Sequence, residues 1–163
     1  IGLKVKEALE EKGFQVVMTR ETDEGLYEPE ARNKKVQDMQ KRILIIREVK
    51  PVLTVSIHQN SYEDSGVKGP QVFYYRDSME GERLAKLLQE KLNKHLQVER
   101  PRAAKGNTTY YLLKRSPGII NIVECGFLTN PDEAWKLAQD GYQKKVADAI
   151  ADGVTEYING TGN

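Results

Sequence analysis

The stretch "IINIVECGFLTNPDE", residues 119–133, decides the architecture. Its front half is an almost unbroken apolar and β-branched run, the pattern of a strand buried on both faces. Its back half, Asn130-Pro131-Asp132-Glu133, is a helix start: a capping side chain, a proline for the first turn, and two acids at the positive end of the helix dipole. Between the two stands Glu124, a carboxylate at the end of a core strand, followed by Cys125 and Gly126 rather than by a polar turn.

Working outward, the same alternation of strand and helix patterns recurs. "IGLKVKEALEEKG" reads as a helix stopped by Gly13, with no Ser, Thr, Asp or Asn ahead of it to cap the first turn. "FQVVMT", "VLTVSI", "PQVFYY" and "TYYLL" read as strands, the second stopping at His58-Gln59-Asn60. A helix beginning near Pro29 carries Val36, Met39, Ile43 and Ile46 on one stripe and ends at Lys50-Pro51. A second, with Asp77 and Glu80 as a capping-box pair, buries Leu84, Leu87, Leu88 and Leu92. A last one runs from about Tyr142 on Val146, Ile150, Val154 and Tyr157, while "QVERPRAAKGNT" is basic and turn-rich. Such alternation predicts the α/β class, with a twisted, mostly parallel sheet flanked by helices on both faces.

Composition narrows the chemistry by exclusion. The 163 residues carry 25 Lys plus Arg against 24 Asp plus Glu, so no basic field calls for nucleic acid. One cysteine rules out an intrachain disulfide, and two histidines with that cysteine cannot make a Cys/His zinc ribbon. A chain of this length buries a core without staples, so any metal is free to be functional. No apolar run of about 18 residues or basic-then-apolar leader occurs, so no membrane segment is expected in this chain.

Two titratable residues fall where ligands gather in open α/β sheets, outside the carboxyl ends of strands: His58 and Glu124. A lone histidine at a strand end is more often a hydrogen-bonded structural residue than a ligand, but Ser56, Gln59 and Asn60 surround this one with polar groups. Glu124 reads either as a paired structural carboxylate or as a buried one whose pKa rises toward neutrality, as a general acid or base requires. His95 lies at a charged helix end and reads as solvated. Cys125 follows an acid, which raises a thiol's pKa and argues against a nucleophile. Tyr110 and Tyr111 read as half core and half surface, or as the lining of a groove for a sugar or peptide. No phosphate-cradling, zincin or nucleophile-elbow pattern is present.

Taken in order, "VVMTRETD", "VSIHQN", "GPQVFYY", "TYYLLKRSPGIINIVECGFLTNPDE" and "YQKKVADAIADGV" resemble the zinc-dependent N-acetylmuramoyl-L-alanine amidases of type 3 over nearly the whole chain. "VECGFLTNPDE" is the most specific block and "SIHQN" the next. The resemblance implies a sheet of about six strands in the intact domain, one zinc ion, and hydrolysis of the amide joining N-acetylmuramic acid to L-alanine in peptidoglycan. It assigns His58 to the metal and makes Glu124 the catalytic acid/base. It implies an extracytoplasmic place of action, in the cell wall or spore envelope, with any export signal outside this sequence. The absence of appended binding repeats resembles the amidases of spore-cortex maturation and germination. Arg100, Arg102 and Lys105 could attract an acidic peptide stem, or be a solvated loop; no residue is assigned to substrate, and a regulatory protein partner is left open.

The family's other two zinc ligands, a histidine in a glycine-rich stretch after the first strand and a glutamate before the first helix, have no counterpart here. Residues 1–163 are therefore expected to be one amidase catalytic domain, incomplete at its N-terminus, with a gap or open sheet edge where the first strand belongs. The remaining ligands are expected upstream, and the chain alone is expected to bind no zinc or to borrow donors. The alternative is a catalytically inactive relative that binds cell-wall glycan or a partner protein; a zinc peptidase acting on other peptides is a third reading.

Overall fold

The computed structural model describes residues 1–161. Strands β1 (Thr54–Asn60), β2 (Gln71–Tyr75), β3 (Lys105–Asn107) and β4 (Ile120–Phe127) form one sheet in the order β1-β4-β2-β3. The pairs β1–β4 and β2–β3 are parallel and β2–β4 is antiparallel, so the sheet is mostly parallel, as the pattern predicts. All of β4 is buried, which is what an apolar strand flanked on both edges and covered on both faces requires.

Alternate residues of the strands serve two cores. Val72, Val123 and Cys125 face helices α1 (Gly2–Glu10), α3 (Met79–His95) and α6 (Asp140–Thr161), where Leu84, Leu88 and Ile150 are fully buried. Phe73, Ile120 and Ile122 face α2 (Lys34–Val49) and the short α4 (Tyr111–Arg115), against Ile43, Ile46, Leu112 and Leu113. Helices α3 and α6 approach so closely at Gly153 that a Cβ there would stand 2.9 Å from Leu88 Cδ2 and 3.1 Å from its Cα. Buried Asn121 ties β4 to the first turn of α3, its Nδ2 donating to the Gly81 carbonyl at 2.9 Å.

Several element boundaries differ from the sequence expectation. Residues 14–19, expected as a strand, join no ladder; between them and the open edge of β1 lies a cleft of about 1110 Å³ lined by Val16, Met18, Val55 and Ile57. A β-branched run becomes a strand only where a neighbour takes its backbone groups, and here none is within reach. Four strands are formed among the described residues, against about six expected for the intact domain.

"TYYLL" is not a strand: from Tyr111 it is α4, which buries Leu112 and Leu113 together against α2 and β4, so packing overrides aromatic β-propensity. The basic segment contributes β3 instead. Helix α2 starts at Lys34, not near Pro29, because Asn33 Oδ1 accepts the Val36 N–H at 3.1 Å; Val36 itself is exposed. Ser78, not Asp77, caps α3, accepting the Gly81 N–H at 3.0 Å, while Glu80 accepts the Tyr157 hydroxyl at 2.6 Å. The cap at Asn130 is as expected, its Oδ1 accepting the Glu133 N–H at 3.0 Å ahead of α5 (Pro131–Leu137).

Candidate active site

Strands β1 and β4 run past the residues expected to end them, to Asn60 and Phe127. Within that parallel pair His58 and Glu124 stand opposite each other, and the register then shifts so that Asn60 faces Phe127. Glu124 alternates with Ile120 and Ile122, which places it on the α2/α4 side of the sheet. The two residues singled out in the sequence are therefore neighbours at one end of the sheet, fixed by backbone pairing rather than by a flexible loop.

Glu124 is 9% exposed, and its Oε2 is buried with no hydrogen-bond partner among the described residues. Burial alone pushes its carboxyl up to about 7. His58 shares a 2.9 Å hydrogen bond between Nε2 and Ser56 Oγ. Burial, then the charges of Arg42 and Arg20, hold its imidazole below the usual histidine range, favouring the neutral form that a metal ligand or hydrogen-bond acceptor needs. Arg42 pairs with Asp38 (Nε–Oδ2 2.6 Å), whose other oxygen accepts the Leu26 N–H at 2.8 Å. That pair pins the loop carrying Arg20 beside His58.

Tyr110 flanks Glu124 on the α4 side. Its ring sits 5.1 Å from that of Phe73, tilted by 59°, and its N–H donates to Asn107 Oδ1 at 2.7 Å. Burial, and then the Glu124 charge, raise the phenol's pKa. With 37% of its surface exposed, Tyr110 is half core and half rim, as the sequence suggested for the tyrosine pair.

Other candidates lie elsewhere. His95 is on α3, across the sheet, held by Asp152 at 3.1 Å and so not simply solvated. Cys125 points into the α3/α6 core, and burial, with Glu124 adding, pushes its thiol up to about 12. Arg102 is not a free cation: its Nε and Nη2 donate to the Lys68 carbonyl at 3.2 and 3.0 Å, and its guanidinium lies over the Phe127 ring at 5.3 Å. Glu133, read from sequence only as a helix-start acid, is 7% exposed and uses both carboxylate oxygens on backbone N–H groups. The Asn130-x-x-Glu133 spacing of a capping box was the available signal, although Glu133 reaches away from the cap.

Whether these residues suit a metal is a matter of donors. Among the described residues no three His, Cys, Asp or Glu side chains gather as a ligand set. His58 has Ser56 beside it and two arginines near it, and a catalytic zinc site takes three protein ligands. The donors present do not complete such a site.

Residues 1–156 match the family model described as N-acetylmuramoyl-L-alanine amidase. The chain belongs to this amidase family. It is 35% identical over 169 aligned positions to the germination-specific N-acetylmuramoyl-L-alanine amidase of Bacillus subtilis, covering all of this chain and 70% of that protein. Against the CwlD amidase of Clostridioides difficile, solved in complex with the GerS lipoprotein, the fold superposes with a TM-score of 0.92 at 35% identity, over 96% of this chain and 82% of that one. The amidase AmiC2 of Nostoc punctiforme gives 0.82 at 29% identity, over 97% and 80% of the two chains. The family is one of hydrolases acting on the cell wall, and no described helix of this member is long and apolar enough to cross a membrane.

Proposed function

We propose that the protein hydrolyses the amide between N-acetylmuramic acid and L-alanine in peptidoglycan, with Glu124 as general base and then general acid. The observation that carries this reading is the state of Glu124: buried, without a partner for Oε2, with its carboxyl at about 7, directly opposite His58. A carboxyl poised there exists in both protonation states near neutrality, which suits a group that must take a proton and return it. Glu124 accepts a proton from the water that attacks the amide carbon. As the carbon–nitrogen bond breaks, it delivers that proton to the departing alanine nitrogen.

The zinc implied by the family would take His58 as one ligand, and its other donors would have to come from outside residues 1–163. The cleft beside β1 supports this division, since a strand lying there would find backbone partners on the β1 edge and on residues 14–19. In this reading residues 1–163 are the body of one catalytic domain. Action takes place outside the cytoplasm, on the cell wall or spore cortex, supported by the likeness to the germination-specific enzyme. The C. difficile relative, solved with a lipoprotein, supports a protein partner.

The test compares the purified chain with a version carrying the native residues upstream, measuring bound zinc and release of stem peptides from peptidoglycan. Zinc and release in the extended version alone are expected. In that version Glu124→Gln keeps its zinc and loses turnover; retained turnover would remove Glu124 from the mechanism.

A further inference from the structure

The loop of residues 61–69 leaves β1 two residues after His58 and ends at Gly69, at the entry of β2, whose Gln71 pairs with Glu124; β4 ends at Phe127, three residues after Glu124. Glu133 ties the far end of that loop to the end of β4. Its Oε1 accepts the Gly69 N–H at 2.9 Å and its Oε2 the Phe127 N–H at 2.8 Å. Gly69 has a φ of +99°, a left-handed conformation that glycine adopts without a Cβ penalty. Gly126 leaves room for the carboxylate, since a Cβ there would stand 3.3 Å from Glu133 Oε2.

Two further contacts fasten the same loop to the same strand end. Asn130 Nδ2 donates to the Ser65 carbonyl at 2.8 Å, and Tyr62 N–H donates to Thr129 Oγ1 at 3.1 Å. Arg102 holds the Lys68 carbonyl while lying over Phe127. Of these contacts Glu133 is the most enclosed. A buried carboxylate with each oxygen on one backbone donor allows neither the entry of β2 nor the end of β4 to shift without leaving a buried polar group unsatisfied.

We infer that Glu133 is a positioning residue: it clamps the entry of β2, at the far end of the loop that follows β1, to the end of β4, and so holds Glu124 in place between Gln71 of β2 and His58 of β1. The inference rests on the roles proposed for His58 and Glu124, but its structural content does not depend on turnover. Glu133→Gln is the informative change, because it turns one acceptor into a donor facing a backbone N–H. Leu84→Ala, a fully buried core truncation on α3, is the control that weakens the fold without touching the clamp.

The experiment records the side-chain NMR signals of the His58 ring and the Glu124 carboxyl, with amide exchange at Gly69 and Phe127, in the isotope-labelled chain and both variants. Glu133→Gln is expected to move both side-chain signals and to speed exchange at the two amides about tenfold or more, the loss of about one hydrogen bond's protection. Leu84→Ala is expected to leave the side-chain signals in place. Wild-type His58 and Glu124 signals in a folded Glu133→Gln chain would overturn the inference. Where Gln prevents folding, Glu133→Asp, which keeps the charge but cannot span both donors, is read by the same criteria. In the active, upstream-extended enzyme Glu133→Gln lowers kcat about tenfold at unchanged KM, whereas a raised KM at unchanged kcat counts against positioning. Turnover surviving in Glu124→Gln would instead count against the catalytic reading and leave the NMR result standing.

Discussion

Replacing Glu124 by Gln should make the chain more stable, and increasingly so as pH rises. In the folded protein the carboxyl sits at about 7 against 4.5 when freely solvated, so the folded state holds a proton that the unfolded state releases between those values. A raised pKa means that the wild type has its full share of stability below about pH 4.5 and loses it as pH climbs through about 7. The difference corresponds to at most about 3 kcal/mol, and the open side of the site screens part of it, leaving about 2 kcal/mol. The neutral glutamine avoids this loss. The facing groups, His58 from β1 and Tyr110 ahead of α4, supply no compensating cation, because burial and two arginines disfavour a charged His58. Urea unfolding of both proteins at half-unit steps from pH 4 to 8.5 gives the difference directly. It should be near zero at pH 4 and reach about 2 kcal/mol in favour of the variant by pH 8. A flat difference would show that Glu124 ionises without cost, and the reasoning that links its burial to proton transfer would fail with it.

Gly153→Ala should cost about 2 kcal/mol by urea unfolding, since its Cβ would stand 3.1 Å from the Leu88 Cα and push α3 off α6. Asn130→Ala should cost about 2 kcal/mol by the same assay, combining a lost cap with the lost bond to Ser65. In the upstream-extended enzyme, Tyr110→Ala should raise KM for peptidoglycan several-fold by removing an exposed ring at the rim, while Tyr110→Phe leaves KM within about twofold.

Local signals carried most of the architecture into the sequence. The run from Ile119 to Glu124 is legible as a core strand because burial on both faces leaves no room for polar alternation, and Asn130-Pro131 is legible as a cap because both residues act within one turn; the continuation of β4 to Phe127 was not legible. What escaped depends on distant partners. Residues 14–19 have strand composition but no ladder, since a strand is defined by a neighbour that composition does not supply. "TYYLL" has strand propensity, but Leu112 and Leu113 are adjacent in sequence and both buried, which an alternating strand lying on one core cannot achieve and a short helix can. In the site, His58 and Glu124 were legible from their strand-end positions. Glu133 was not, because its partners Gly69 and Phe127 are joined only by the fold.

One cause acts on both members of the pair. Burial at the end of a central strand and its neighbour disfavours charge, raising the carboxyl of Glu124 and lowering the imidazole of His58, so the two do not settle into a mutual ion pair. His58 turns Nε2 to Ser56, which leaves Glu124 Oε2 with an unused lone pair inside the protein. A cation on that oxygen would have pulled the carboxyl below its ordinary range, where it could no longer donate a proton near neutrality; burial alone acts on it instead. Arg42, held by Asp38, acts on the other member of the pair and reinforces the neutral form of His58. The carboxyl stays available to whatever polar group enters past Tyr110.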